Sequence, residues 1–352
     1  MMLMNDLFTS FSINISEICL ENFFLLLLVF VSCAIAVSRS LLKIVILSSM
    51  FSMIMAALYL LMAAPDVAMT EAAIGACIST AFIIKSMQAT NSNEFKQKLV
   101  SLPNIISFFI IIIFGEVMIY AFIDLPEYGQ TFSPVNSYLS QYYIQNTPVE
   151  IGISSSVAAI LGSYRGFDTL GETLVIMVAG IVVYFLMLQE KKELDVSIYK
   201  QGEIIYQSKI WMTDYIRVIL LPISLIFAFY IQVHGEISPG GGFQAGAIIA
   251  SVYIFFYVAN NDHDHDLSNI IKLLFKFSLV GFLIYISMAI FTALMGGYFL
   301  QYYAITGSIL GHKIGIFIIE IGVGITIFSV MLMIFLLLTH YARNFQMVRE
   351  VK

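Results

Sequence analysis

Ala64-Pro65-Asp66-Val67-Ala68-Met69-Thr70-Glu71-Ala72-Ala73-Ile74-Gly75-Ala76 opens a hydrophobic segment that runs to about Lys85. At ~1.5 Å of rise per residue, a helix of that length crosses a bilayer. Two carboxylates sit in it. An ionised side chain in hydrocarbon costs at least ~2.5–3.5 kcal/mol, so such groups face a bundle interior or a wet cavity. Pro65 fits the first helical position, and Asp66 beside it complements the positive end of the helix dipole. Ala68, Ala72, Gly75 and Ser79 recur at helical spacing as a small-residue stripe. Glu71 lies one step round from that stripe, towards whatever helix packs there. Glu71 has two readings, an ion or proton relay and an interhelix hydrogen bond. Asp66 reads first as helix-start chemistry and second as a relay group.

The 352-residue chain is 60% apolar and 11% charged, with a mean hydropathy of +0.92. Soluble domains are about half apolar and about a quarter charged, so this composition is that of an integral membrane protein. Cys19, Cys33 and Cys77 are scattered, without CxxC or metal-ligand spacing. Free thiols, no iron–sulfur cluster, no metal and no cofactor are expected. The net charge of −6 forms no basic footprint for nucleic acid. Residues 1–21 lack Lys and Arg, and a cleaved signal peptide needs a basic start, so none is expected.

Hydrophobic runs fall at 22–38, 42–62, 66–87, 104–124, 168–189, 215–233, 241–259, 270–295 and 314–339. Their lengths suit helices, and period-two alternation is absent. They predict an all-α polytopic membrane protein with about nine transmembrane helices. With the N-terminus outside, only Arg165 and Lys313 of the 17 Lys and Arg fall in outer segments. The positive-inside rule therefore predicts an outside N-terminus, a cytoplasmic C-terminus and an odd number of spans. The long outer segment 125–167 carries Pro126, Pro134 and Pro148. Within it, 151–164 predicts a short helix lying at or dipping into the membrane. A charged inner segment, 189–214, holds the sole tryptophan, Trp211, and marks a boundary near 205 with five spans before it and four after.

A second acidic group, Ser163-Tyr164-Arg165-Gly166-Phe167-Asp168-Thr169-Leu170-Gly171-Glu172-Thr173, enters the fifth run. Asp168 and Glu172 share a face, and Arg165 can pair with Asp168 if the helix begins early enough. Thr169-x-x-Glu172 also fits a capping box. The functional reading has Glu172 continuing an acidic path with Glu71; both readings stand. Glu116 sits mid-span beside Gly115, and its depth alone nominates it for ion movement. Glu320 in the last run is either a packing-buried acid or a relay group.

His234-Gly235-Glu236-Ile237-Ser238-Pro239-Gly240-Gly241-Gly242-Phe243-Gln244-Ala245-Gly246 joins the sixth and seventh runs. No GKS/T follows, and the loop leads from one apolar run into another, so it is no phosphate cradle. The pattern predicts a tight turn, with Gly242, Gly246 and Ala250 as a small-xxx-small ridge for close helix packing. His234 and Glu236 at its rim fix the turn by hydrogen bonds or sense pH. The alternating Asp and His of 262–266 read as a solvated loop rather than a metal site, since nothing fixes a coordination geometry.

These motifs carry a family resemblance. APDVAMTEAAIGA resembles a signature near the end of the large A component of Mrp-type multisubunit Na+/H+ antiporters. Related segments occur as separate subunits in membrane-bound hydrogenases. YRGFDTLGE, with Tyr142-Tyr143-Ile144 and Asn146 before it, resembles the next and closing domain of that A component. His234-Gly235 followed by SPGGGF resembles the hallmark of the antiporters' B component, with Ala245 where a glycine is expected. Gly296-Gly297-Tyr298-Phe299-Leu300 and Ile319-Glu320-Ile321-Gly322-Val323-Gly324 resemble later parts of the B component. The resemblance covers roughly 60–345, in the family's order.

It implies the C-terminal part of the A component fused to the B component. The expected domains are 1–100 (three spans), 101–205 (two spans) and 206–352 (four spans). The implied function is that of a membrane subunit in a monovalent cation (Na+)/proton antiporter of the bacterial inner membrane, a transporter part and not an enzyme. The implied partners are large A/D-like and small C-, E-, F- and G-like subunits, with Na+, H+ and membrane lipid. Glu71, Glu172, Glu116 and Glu320, with Asp66 and Asp168, are the expected ion-path carboxylates. His234, Gly235, Pro239, Gly240, Gly241, Gly242 and Gly246 form the turn and packing motif. No span carries a mid-membrane Lys or Arg of the kind expected in proton-pumping subunits, so the chain alone is expected not to transport. The alternatives are an ion-coupling subunit of a hydrogenase-like redox complex and a purely structural assembly subunit.

Overall fold

The structure, a computed structural model, describes residues 2–90, 102–126, 130, 133–191, 216–259 and 267–350. All regular structure among them is helical. In chain order, α1 is Met2–Val37 and α2 is Leu41–Leu61. Helix α3 begins at Pro65–Thr70, widens into a π-helical stretch at Glu71–Ile78 and continues over Ser79–Thr90. Helix α4 is Leu102–Ile123. Helix α5 joins a π-turn at Val135–Leu139 to Ser140–Glu150, and α6 joins Ser156–Ala159 to a π-turn at Ile160–Tyr164. Then come α7 (Gly166–Lys191), α8 (Ile216–Leu220 with Leu221–His234), α9 (Gly242–Ala259) and α10 (Leu267–Leu294). A short α11 (Tyr303–Thr306) precedes the long α12 (Ile309–Glu350).

Among the described residues, 7 helices are long and apolar enough to cross a membrane, and Val218–His234 and Gly242–Val258 are shorter apolar helices. Each of the nine hydrophobic runs thus forms one of these helices. The reason is elementary: in hydrocarbon every backbone N–H and C=O must be satisfied within its own segment. Breaks fall where the chain leaves that regime. At the α2–α3 corner Ala63 takes a left-handed φ of 55°. Pro65, lacking a donor, starts α3 as the sequence predicted.

The π-helical stretch was not predicted. Its carbonyls accept hydroxyls from two neighbouring helices: Ser49 Oγ of α2 donates to the Ala76 carbonyl at 2.9 Å, and Ser251 Oγ of α9 to the Ala73 carbonyl at 3.2 Å. The outer segment also holds more helix than expected. Besides the short helix predicted in 151–164, α5 forms ahead of it and accommodates Pro148. Ser155 caps α6, accepting the Ala158 N–H at 3.3 Å. The boundary near 205, Trp211 and the 262–266 loop lie outside the described residues.

The packing centre is α12 rather than α3. Helices α3, α7, α9 and α10 all lie against it, and Ile316, Ile327, Met333 and Phe335 on it are fully buried. Between apolar helices in lipid, close van der Waals approach does the work, and small residues permit it. A Cβ on Gly246 of α9 would lie 2.6 Å from the Gly324 carbonyl oxygen, and one on Gly281 of α10 would lie 2.6 Å from that of Gly322. Helix α2 packs on α1 and α3. Helix α4 stands apart, with none of its described residues buried.

Candidate functional site

Five elements converge on one cavity of about 240 Å3. The start of α3 contributes Asp66, Val67 and Thr70, α6 contributes Ala158 and Leu161, and α7 contributes Thr169 and Glu172. The glycine-rich loop contributes Gly240, Gly241 and Gly242 with Gln244 just inside α9, and α12 contributes Ile319, Glu320 and Val323. The walls are apolar; three carboxylates are the charged groups that line it.

Asp66 is held by the glycine loop. The Gly240 N–H donates to Oδ1 at 2.7 Å, and Gln244 Nε2 donates to the same oxygen at 3.4 Å. Gly240 can present its amide this way because its φ is +148°, a region that favours glycine. Asp66 therefore does more than begin a helix: it ties α3 to the α8–α9 turn. Glu320 of α12 lines the same cavity, its Oε1 3.3 Å from where a Cβ on Gly241 would sit. Its Oε2 is buried and has no hydrogen-bond donor. Asp66 and Glu236 stand within electrostatic reach of it. Glu172 is exposed on the cavity rim, within electrostatic reach of the buried Tyr285 of α10.

The glycine loop owes its shape to backbone proximity. A Cβ on Gly242 would sit 1.9 Å from the Glu320 carbonyl oxygen, and one on Gly235 would lie 3.0 Å from the backbone of Gly241. Ala245, where the family pattern has glycine, is fully buried, and its methyl group is accommodated. The turn is closed by the His234 carbonyl, which accepts the N–H groups of Ile237 and Ser238 at 3.0 and 2.9 Å. The His234 ring stacks on Tyr230 at 4.2 Å between centroids, while its buried Nδ1 has no partner. Pro239 is exposed at the tip. The Glu236 carbonyl accepts the Ser155 N–H at 3.1 Å, joining the turn to α6. Half-burial raises the Glu236 carboxyl above its ordinary value, with Lys313 opposing the shift.

Three of the six predicted acids thus meet, and three do not. Asp168 is exposed and paired with Arg165. The helix does begin early enough for that pair, at Gly166, and this is also why the capping-box reading fails. Thr169 is already inside α7, and its hydroxyl donates to the Leu161 carbonyl at 2.8 Å. Glu71 is half-buried on the α2-facing side of α3, where a Cβ on Gly75 would lie 2.6 Å from Glu71 Oε1 and 2.7 Å from Ser52 Oγ. Glu116 is exposed on α4. Sequence reading missed two amides. Gln244 binds Asp66, and Gln232 of α8 has a buried Nε2 without an acceptor. Their signal was present, since each is a lone amide in an apolar run. Among the described residues, no group of three or more His, Cys, Asp or Glu is arranged to hold a metal ion.

Chemically, the cavity offers apolar walls, one carboxylate with a fixed donor set and one without any donor. A buried carboxylate lacking donors is neutralised either by a proton or by a cation.

Comparison with known proteins divides the chain into three matches. Residues 26–92 match the family model MbhD, for the D component of MBH, and 107–196 match the model MbhE, for its E component. Residues 212–333 match the domain related to the MnhB subunit of Na+/H+ antiporter. An uncharacterized protein of Methanocaldococcus jannaschii is 30% identical over 210 residues, which is 55% of this chain and 72% of that protein. A Staphylococcus haemolyticus protein named for antiporter subunit mnhA2 is 29% identical over 162 residues, 45% of this chain and 19% of that one. The solved Mrp complex from Dietzia sp. DQ12-45-1b aligns with a TM-score of 0.70 at 22% identity, over 90% of this chain and 34% of the matched chain, a likeness of fold.

Proposed function

Since this chain belongs to the family of Mrp/Mnh-type antiporter subunits, joining A-like and B-like parts, we propose that it is a membrane subunit of a monovalent cation/proton antiporter complex, a transporter part rather than an enzyme. Its partners are the other antiporter subunits, large A/D-like and small C-, E-, F- and G-like, in a bacterial plasma membrane. The chain spans about a fifth of the mnhA2 relative, which is in keeping with a contribution to a larger assembly. Within it we take 1–100 and 101–205 as A-like and 206–352 as B-like, with the N-terminus outside and the C-terminus cytoplasmic.

The observation that carries the reading is the cavity where Asp66, Glu172 and Glu320 meet, with Glu320 Oε2 lacking any donor. Cation and proton compete for such a group. A proton on Glu320 leaves the cavity free of a cation; an incoming cation displaces it. Asp66, fixed by Gly240 and Gln244, supplies a second oxygen of constant position, and Glu172 at the rim gathers ions from the entrance. Asp168, exposed and paired with Arg165 one turn before Glu172, lies outside the cavity lining. Glu71 presents its carboxylate on the α2-facing side of α3, away from the cavity, where it extends the path into neighbouring helices. The hydrogenase-like alternative is not favoured, because the B-like domain and the mnhA2 relative both point to antiport.

The test is Glu320→Gln in the complete complex, with antiport followed in everted vesicles. Gln keeps the shape and loses the charge and the proton. Antiport should fall about tenfold or more with assembly unchanged, since a transport-essential charge is worth at least ~1.4 kcal/mol. Unchanged activity and unchanged apparent cation affinity would remove Glu320 from the path and leave the packing role.

A further inference from the structure

Helix α4 contains a mid-span carboxylate that none of the described residues covers. Ile106–Ile123 is a span of 18 residues with none buried, and Glu116, just past its midpoint, is exposed. Among the described residues no donor or base is paired with it. Lipid is a poor neighbour, since a carboxylate in hydrocarbon is costly whether ionised or protonated. A second copy of this chain is also a poor neighbour: a two-fold pairing through α4 would bring one Glu116 against the other. Beside it, a Cβ on Gly115 would meet nothing within 4 Å, so a foreign backbone has room to come close.

We propose that α4 docks a transmembrane helix of another protein of the complex, one that carries a Lys or Arg at mid-depth, paired with Glu116. Charge complementarity selects this occupant. A basic residue buried in one protein and an acid exposed at the same depth on another are each costly alone and satisfied together. The pair then serves as a registration contact during assembly. This docking is separate from the cavity chemistry: α4 contributes no residue to the cavity, so the two readings fail independently.

The experiment uses the assembled complex in native membranes. A photo-crosslinking residue replaces Ile112 or Ile119, both exposed and within one turn of Glu116 on its face. The cross-linked peptides are sequenced by mass spectrometry. The expected adduct is one span of another protein of the complex, containing Lys or Arg within a turn of the cross-link. Glu116→Lys should lower the adduct yield about tenfold, because it sets like charges against each other across the interface. Reversing the partner's base to Glu should restore that yield. Glu116→Gln, the milder change, should lower the yield by less. Adducts only to lipid, to this chain or to a second copy would overturn the proposal. So would a partner span without a base, or no recovery on charge reversal.

Discussion

Gly242 shows how a single atom sets the site. Its missing Cβ lets the start of α9 lie directly on the Glu320 carbonyl, and this brings the turn amide of Gly240 to Asp66. Gly242→Ala should therefore force α9 and α12 apart and destabilise the complex by about 1–3 kcal/mol, the usual range for overpacking. Gly171→Ala is the control: nothing lies within 4 Å of a Cβ there, and removing a mid-helix glycine gains about 0.5–1 kcal/mol. Thermal melts of the purified complex should move in opposite directions for the two variants. Equal melts would mean that α9 and α12 do not pack through Gly242. At this scale the sequence was informative about residue type and silent about partners. Asp66, Glu172 and Glu320 were all visible as acids in apolar runs, yet nothing in their spacing said that they share one cavity. Residues 66 and 240 are brought together only by the fold.

The elements were legible because a bilayer dictates their length, and each hydrophobic run became one helix. What escaped was detail that hydropathy does not encode. The π-helical stretch of α3 keeps the composition of an ordinary helix, and its signature is the acceptance of two serine hydroxyls by carbonyls of that turn. The capping-box reading of Thr169 failed because α7 starts one turn earlier, at the Arg165–Asp168 pair. The α8–α9 turn carries a pH dependence of its own. Burial raises the Glu236 carboxyl, so the folded state holds that proton more tightly than the unfolded chain does. The contribution is complete below the ordinary carboxylate range and is lost as pH rises through the raised folded value. Melting temperature should therefore decline as pH rises above the ordinary carboxylate range. Glu236→Gln should flatten that slope while leaving the Ser155-to-Glu236 backbone bond intact. An unchanged slope would assign the pH dependence to another group.

For the molecule as a whole, the distribution of burial is uneven in a way that argues for company. Helix α12 is enclosed on several sides, whereas α1, α2 and α8 display large apolar side chains outward and α4 touches little of the chain. The cavity has an acid without a donor and, among the described residues, no mid-membrane base from this chain to serve it. A transport cycle needs both a site that exchanges cation for proton and a route that delivers protons to it, and on the proposed reading of the cavity the described helices would supply only the first. The chain reconstituted alone into liposomes should therefore show no cation-driven proton flux above empty vesicles, read by an entrapped pH dye. Co-reconstitution with the remaining subunits should restore flux, and Glu320→Gln in that mixture should abolish the gain. Flux from the chain alone would show that the cavity is reached by protons through its own helices. The acid-lined cavity would then be a complete exchanger rather than one station in a larger path.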